Sequence, residues 1–148
     1  LFSGRVADVG SGAGLPGLVL AIARPDVEFT LIEPMERRVL WLQEQTDALG
    51  LDNVVVFRGR GEEWPEGAVF DSVTARAVSA LRTLLPWTAP LVRDGGELLL
   101  LKGANAQAEI DAAVKPLRKY RVTDARVEVV GADLLEEPTR VLRGTVRA

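Results

Sequence analysis

Ten residues near the start, Asp8-Val9-Gly10-Ser11-Gly12-Ala13-Gly14-Leu15-Pro16-Gly17, constrain this chain more than any other stretch. They follow the apolar pair Val6-Ala7 and lead into a second apolar run, Leu18 to Ala23. Four glycines in eight positions between a strand and a helix let the backbone turn sharply and approach a ligand at the helix N-terminus. Gly12 to Gly17 also spells the G-x-G-x-x-G of a dinucleotide-binding turn.

Downstream, apolar runs alternate with amphipathic ones. Arg5 to Asp8 reads as a strand, and Gly17 to Arg24 as a helix apolar nearly all round, predicted to lie buried between sheet and neighbours. Glu28 to Glu33 is a second strand; Glu36 to Leu49, closed by Gly50, is a second helix. Asn53 to Phe57 is a third strand whose valines predict burial on both faces. A glycine-punctuated loop, Arg58 to Pro65, leads to a fourth strand, Val69 to Ala75, with Arg76 at its end. Ala80 to Val92 is helical but interrupted by Pro86. Asp94-Gly95-Gly96 predicts a turn before the apolar strand Glu97 to Lys102. Ala104 to Leu117 is a further helix, kinked near Pro116. Tyr120 to Val130 and Thr139 to Arg147 alternate with period two and close the chain as a hairpin. Five strand–helix alternations and a terminal pair of strands predict an α/β fold: a doubly wound, mostly parallel seven-stranded sheet with a C-terminal antiparallel hairpin. Ligands of such sheets sit at the carboxyl ends of the strands, here Asp8 to Gly14, Glu33, Gly61 to Glu63, Arg76 and Lys102.

The 148 residues are one domain's worth, without a run of about 18 apolar residues to span a membrane. Zero cysteines and zero histidines exclude disulfides, thiolate and imidazole metal ligands, and any nucleophile–histidine pair. No metal is expected. A net charge of −3 gives no overall electrostatic signature for nucleic acid.

The residues themselves leave two ligands open for the glycine loop. A diphosphate suits a neutral strand end, whereas Asp8 stands two residues before the first glycine. An acid there favours a ligand with positive charge, such as the sulfonium and ammonium of S-adenosylmethionine, over NAD. Glu33, ending the second strand, is placed to accept from a ribose diol, which both cofactors carry.

At this point the chain resembles the RsmG (GidB) methyltransferases, which methylate N7 of one guanine in bacterial 16S ribosomal RNA. Asp8 to Gly17, with its Leu15-Pro16-Gly17 extension, carries the resemblance. Glu36-Arg37-Arg38 with Trp41-Leu42, Leu49 to Val54, Ala75-Arg76-Ala77 and Leu101-Lys102-Gly103 extend it along the chain. Arg58 to Glu63 is similar to the family's adenine-side loop, with Gly61 where the family more often has alanine. Ala75 likewise replaces a serine.

The resemblance implies a Rossmann-like class I methyltransferase domain spanning 1–148, short of the family's helical N-terminal segment. It also implies S-adenosyl-L-methionine as cofactor, held by Asp8, Gly10, Gly12, Gly14, Leu15, Glu33, Gly61, Glu62 and Arg76. Arg76 and Lys102 fall at the catalytic centre, as contacts to RNA phosphate, guanine O6 or the cofactor carboxylate; Arg60 and Arg140 are further candidates for RNA backbone. The implied partner is 16S rRNA or the small ribosomal subunit, met in the cytoplasm by a monomer. Guanine N7 carries a lone pair and no proton, so the missing histidines and cysteines are no obstacle. A small-molecule methyltransferase, an NAD-dependent oxidoreductase and a non-catalytic cofactor-binding module are the alternatives.

Overall fold

The computed structural model describes residues 3–11, 16–76, 80–102, 105–130 and 139–147. Seven strands form one sheet: β1 (Arg5–Val9), β2 (Glu28–Glu33), β3 (Val54–Arg58), β4 (Phe70–Arg76), β5 (Val92–Lys102), β6 (Val122–Val130) and β7 (Thr139–Val146). Their spatial order is β3-β2-β1-β4-β5-β7-β6. The β1–β2, β1–β4, β2–β3 and β4–β5 pairs are parallel, and β7 runs antiparallel to both β5 and β6. The order reverses at β1, because β2 and β3 lie on one side of it and β4 onward on the other.

Period-two alternation separates two cores. Val6 of β1 and Phe29 and Leu31 of β2 face α1 (Gly17–Ala23) and α2 (Glu36–Ala48), where Leu18, Ala21 and Leu42 meet them. Ala7 and Ile32, one residue out of phase, face the larger core with Leu81, Leu84 and Leu85 of α3 (Leu81–Thr88). Ile110 of α4 (Ala106–Ala112) and Leu117 of α5 (Val114–Lys119) complete that layer.

Proline dictates both helix breaks. Pro86 has no N–H for the Arg82 carbonyl, and after Thr88 the helix tightens into a 3₁₀ turn, Ala89–Leu91. Pro116 has none for Ala112, so α4 stops there and α5 restarts at Val114, with the proline in its first turn.

Three sequence expectations are corrected. β3 is an edge strand: Val54 and Val56 face the α1–α2 core, but Val55 is 50% exposed because nothing described covers that face of the edge. In α1, Val19 and Ile22 are more than half exposed, since the helix has the sheet on one side only. Asp94-Gly95-Gly96 lies inside β5 as an irregularity rather than before it: Phe70 pairs with Val92 and Ser72 with Glu97, so five steps in β5 match two in β4. Gly95 takes φ +80° there, a region that favours glycine.

The terminal hairpin is tied across three strands by Arg143, which is largely buried. Its guanidinium binds both Glu97 carboxylate oxygens from β7 to β5, Nη2 at 2.8 Å, and reaches Glu128 of β6 at 3.3 Å. The Arg143 hydrogen bond holds the Glu97 carboxyl below its usual range. No described helix is long and apolar enough to cross a membrane.

At seven residues α1 is too short to be stable by itself, and Asn53 holds its C-terminal end. Asn53 Nδ2 donates to the carbonyls of Ala21, Arg24 and Val27 at 3.1, 3.1 and 3.0 Å, fixing the helix exit against the start of β2. Asn53→Leu should therefore lower the unfolding free energy in urea by about 1–3 kcal/mol, the cost of stranding partly buried carbonyls. A change below about 0.5 kcal/mol, typical of an ordinary surface position, would show that the clamp is dispensable.

Candidate active site

The parallel registers bring the ends of five strands to one edge. Val9 pairs with Ile32 and with Ala75, Glu33 with Arg58, and Arg76 with Leu101. Asp8, Gly10, Glu33, Arg76 and Lys102 thus gather there, with the Gly61–Glu63 3₁₀ turn following β3. Gly12, Gly14 and Leu15 lie outside the described residues.

Gly10 leaves β1 at φ +69°, and its N–H and that of Ser11 both donate to the Ile32 carbonyl, at 2.8 and 3.2 Å. That pair of bonds seats the loop on the end of β2.

The structure gives Asp8 a different task from the ligand contact expected of it. Its carboxyl is fully buried beneath the loop, where Oδ2 accepts from the Ser11 hydroxyl at 2.8 Å and the Gly17 N–H at 3.0 Å. Asp8 therefore ties the loop's entry to the first residue of α1. Gly17 must lack a side chain for this, because a Cβ would stand 2.6 Å from Asp8 Oδ2 and press on Leu31. Oδ1 is buried with no hydrogen-bond partner among the described residues. Burial pushes the Asp8 carboxyl up to about 7, against the pull of its two hydrogen bonds, with Glu33 adding repulsion.

A cavity of about 280 Å³ opens beside Gly10, lined by Val9, Ile32, Pro34, Gly59, Arg60, Gly61 and Trp87. It is a mostly apolar slot with backbone exposed at the glycines. Trp87 of α3, 36% exposed, forms one wall and belongs to no sequence motif. Its only sequence signal is its place beside the buried stripe Leu81, Leu84, Leu85 and Thr88. The 3₁₀ turn is fixed from below by Trp64, edge-on to Phe57 at 5.1 Å between ring centroids and tilted against Phe70 at 5.3 Å. Gly61 packs so closely on Trp87 that a Cβ would overlap its carbonyl oxygen, so alanine here would require the turn and α3 to separate. Glu62 is exposed beside it.

Glu33 is almost fully buried, flanked by the slot residues Ile32 and Pro34, and its Oε2 accepts from the Met35 N–H at 2.8 Å. Arg76 is exposed at the end of β4 and lines a second cavity, about 290 Å³, with Pro16, Val19, Leu20 and Leu101. The first cavity touches Gly10 and the second Pro16. Lys102 departs from its expected role: its side chain is only 4% exposed, and its ammonium sits 2.8 Å from Glu109 Oε1 on α4. That pair ties α4 to the end of β5. Glu109 has no sequence signature. Arg60 borders the slot, and Arg140 lies on β7 paired with Lys102.

The fold is shared with methyltransferases of known structure. The apo S-adenosylmethionine-dependent methyltransferase SibL superposes with TM-score 0.76 at 19% identity, covering 99% of this chain and 51% of that one. A point variant of the 16S rRNA (adenine(1408)-N(1))-methyltransferase of Catenulisporales acidiphilia gives 0.72 at 19%, covering 97% and 85%. The chain thus has the Rossmann-like methyltransferase fold. The family model for rRNA small subunit methyltransferase G matches residues 2–137. Ribosomal RNA small subunit methyltransferase G of Leifsonia xyli subsp. xyli is 65% identical over 144 residues, covering 97% of this chain and 69% of that protein. The one from Corynebacterium glutamicum strain R is 49% identical, covering 93% and 63%. The chain belongs to the rRNA small subunit methyltransferase G family.

The Asp8 brace has a pH signature. Its native carboxyl titrates near 7 while the unfolded one titrates at 3.8, so between those values the native state holds a proton that the unfolded state has lost. Stability from this group is full below pH 4 and declines as pH rises to 7, by on the order of 4 kcal/mol. Asp8→Asn keeps the acceptor and cannot ionise, so its stability relative to the parent chain should improve between pH 5 and pH 8 in urea melts. A constant difference across that range would show that Asp8 titrates normally.

Proposed function

We propose that this chain, as a single methyltransferase domain, transfers the methyl group of S-adenosylmethionine to N7 of a guanine in 16S ribosomal RNA, presented naked or in the small subunit. The observation that carries this reading is the 65% identity to an rRNA small subunit methyltransferase G along 97% of the chain. The Rossmann-like methyltransferase fold and the edge slot support the choice of donor over NAD. The reading places the protein in the cytoplasm, with its substrate, as a monomer.

The residues present fit the nucleoside end of S-adenosylmethionine. An apolar slot with an indole wall suits a flat purine, and Glu33, buried between the slot residues Ile32 and Pro34, has the acceptor chemistry that a ribose diol calls for. Gly10 and Gly61 offer backbone at close range, with Gly12, Gly14, Leu15 and Glu62 as further members of the same shell. Asp8 acts through the loop that it braces. When bound, S-adenosylmethionine supplies an electrophilic methyl on a sulfonium.

The protein's part is placement and exclusion of water. Guanine N7 needs no deprotonation, so the site needs no general base, and none of the described edge residues is placed as one. In-line alignment at about 3 Å is the main source of acceleration in such a reaction. Arg76 makes no ion pair with any described residue and lines the cavity beside Pro16 and Leu101. As a cation it does not stabilise the positive charge that N7 acquires, so it serves to orient the base through O6 or a flanking phosphate. Lys102 supports this edge from behind through Glu109.

The test is incubation with labelled S-adenosylmethionine and small subunits from a strain lacking the modification, followed by mapping of the label. Label at one guanine N7 is expected; its absence from every guanine N7 would overturn the reading. Arg76→Ala should cut methyl transfer by roughly 100-fold or more, the scale of a lost positioning contact, with donor affinity nearly unchanged. Normal transfer would remove Arg76 from the site.

A further inference from the structure

The edge of the sheet opposite the slot carries a concentration of positive charge that the reaction does not use. α5 and the turn after it contribute Lys115, Arg118, Lys119 and Arg121, and the end of β7 adds Arg147 beside them. The last two are joined by the Arg147 N–H donating to the Arg121 carbonyl at 2.9 Å. All five side chains are exposed, and none forms an ion pair with a described residue. The acids nearby are engaged: Asp111 accepts from Gln107, Asp124 pairs with Arg126, and Glu97 and Glu128 hold Arg143. Lys119 lies over the Tyr120 ring at 5.6 Å. Arg118 and Arg121 border a shallow groove of about 340 Å³ between α4–α5 and β6. Arg121 holds φ +59°, a costly conformation for a non-glycine residue.

The register locates this corner. Val122 pairs with Val146, and Glu97 with Thr145, at the end of the sheet where β5 begins its regular pairing; Lys102, paired with Arg140, lies at the slot edge. The corner is therefore roughly 20 Å from the slot edge, at about 3.3 Å per strand residue.

We propose that the α5–β6–β7 corner is a second docking surface for the phosphate backbone of the RNA substrate, remote from the methylated guanine. The inference rests on the rRNA methyltransferase reading above. In a chain of net charge −3, five exposed cations without acidic partners among the described residues form a local field that attracts a polyanion. An extended RNA is the polyanion able to reach this corner while a nucleotide occupies the opposite edge. Contacts of this type go to phosphates, carry no base information and set the register of the substrate. A membrane surface fits less well, because α5 has six residues, too short for an amphipathic helix that lies in an interface.

The test compares the chain with two variants, Lys115→Gln/Arg118→Gln/Lys119→Gln and Arg121→Gln, in methyl transfer to unmodified small subunits across a salt series. Each neutralised phosphate contact contributes about 0.7–0.9 to the slope of log affinity against log salt. The triple variant should show a slope shallower by about two and a KM raised at least about tenfold near 150 mM salt. The Arg121 variant should show a slope shallower by just under one. In both, kcat and S-adenosylhomocysteine affinity should be unchanged. Parental KM and slope in both variants would overturn the proposal, as would lost affinity for phosphatidylserine vesicles with RNA kinetics intact. A parent chain that labels no guanine at all would instead defeat the rRNA reading, so the two failures are distinguishable.

Discussion

The structure depends on one buried carboxylate. Asp8 accepts from the Ser11 hydroxyl and from the Gly17 N–H, which ties the end of β1 to the first residue of α1. Glycine-rich backbone loses more entropy on ordering than any other, so such a loop needs an anchor at each end. Burying a carboxyl is itself expensive, and the rise of Asp8 to about 7 measures that cost. The fold accepts it at the end of β1, and the bonds from Gly10 and Ser11 to the Ile32 carbonyl complete the anchoring.

Around that bridge the molecule divides its work. The sheet's parallel half supplies an edge where strand ends converge, and the Trp64 and Trp87 side chains set the walls and footing of the slot. The antiparallel half contributes rigidity through Arg143 and its two glutamates, and it carries the cationic corner. The chemistry asked of the site, methyl transfer to an unprotonated nitrogen, needs shape and alignment more than acid–base groups. A chain without histidine or cysteine is suited to it.

Much of the fold was legible because local rules and global packing agree. The bounds of β2, the break that Pro86 introduces and the period-two hairpin all follow from short-range pattern. The exposure of Val55 did not, since whether a valine run lies at a sheet's centre or its edge is a matter of strand order. The unpaved outer face of α1, marked by Val19 and Ile22, was hidden for the same reason: composition records apolar character and not what covers it. At the site, the sequence located the edge residues but not their directions. Asp8 and Lys102 both point into protein: Asp8 accepts from the N–H of Gly17, a motif glycine whose pattern does not announce that bond, and Lys102 pairs with Glu109, which no motif marks. Trp87 arrives from a helix more than fifty residues beyond the end of β2 and becomes a pocket wall only through folding.

The central claim is that the slot between the glycine loop, Gly61 and Trp87 is the seat of the methyl donor's nucleoside. The most direct measurement is a calorimetric titration of S-adenosylhomocysteine into the chain and into Trp87→Ala, with unfolding curves confirming that both are folded. The account predicts affinity weaker by roughly tenfold, the scale of one lost aromatic contact. Equal affinities in two folded proteins would contradict it.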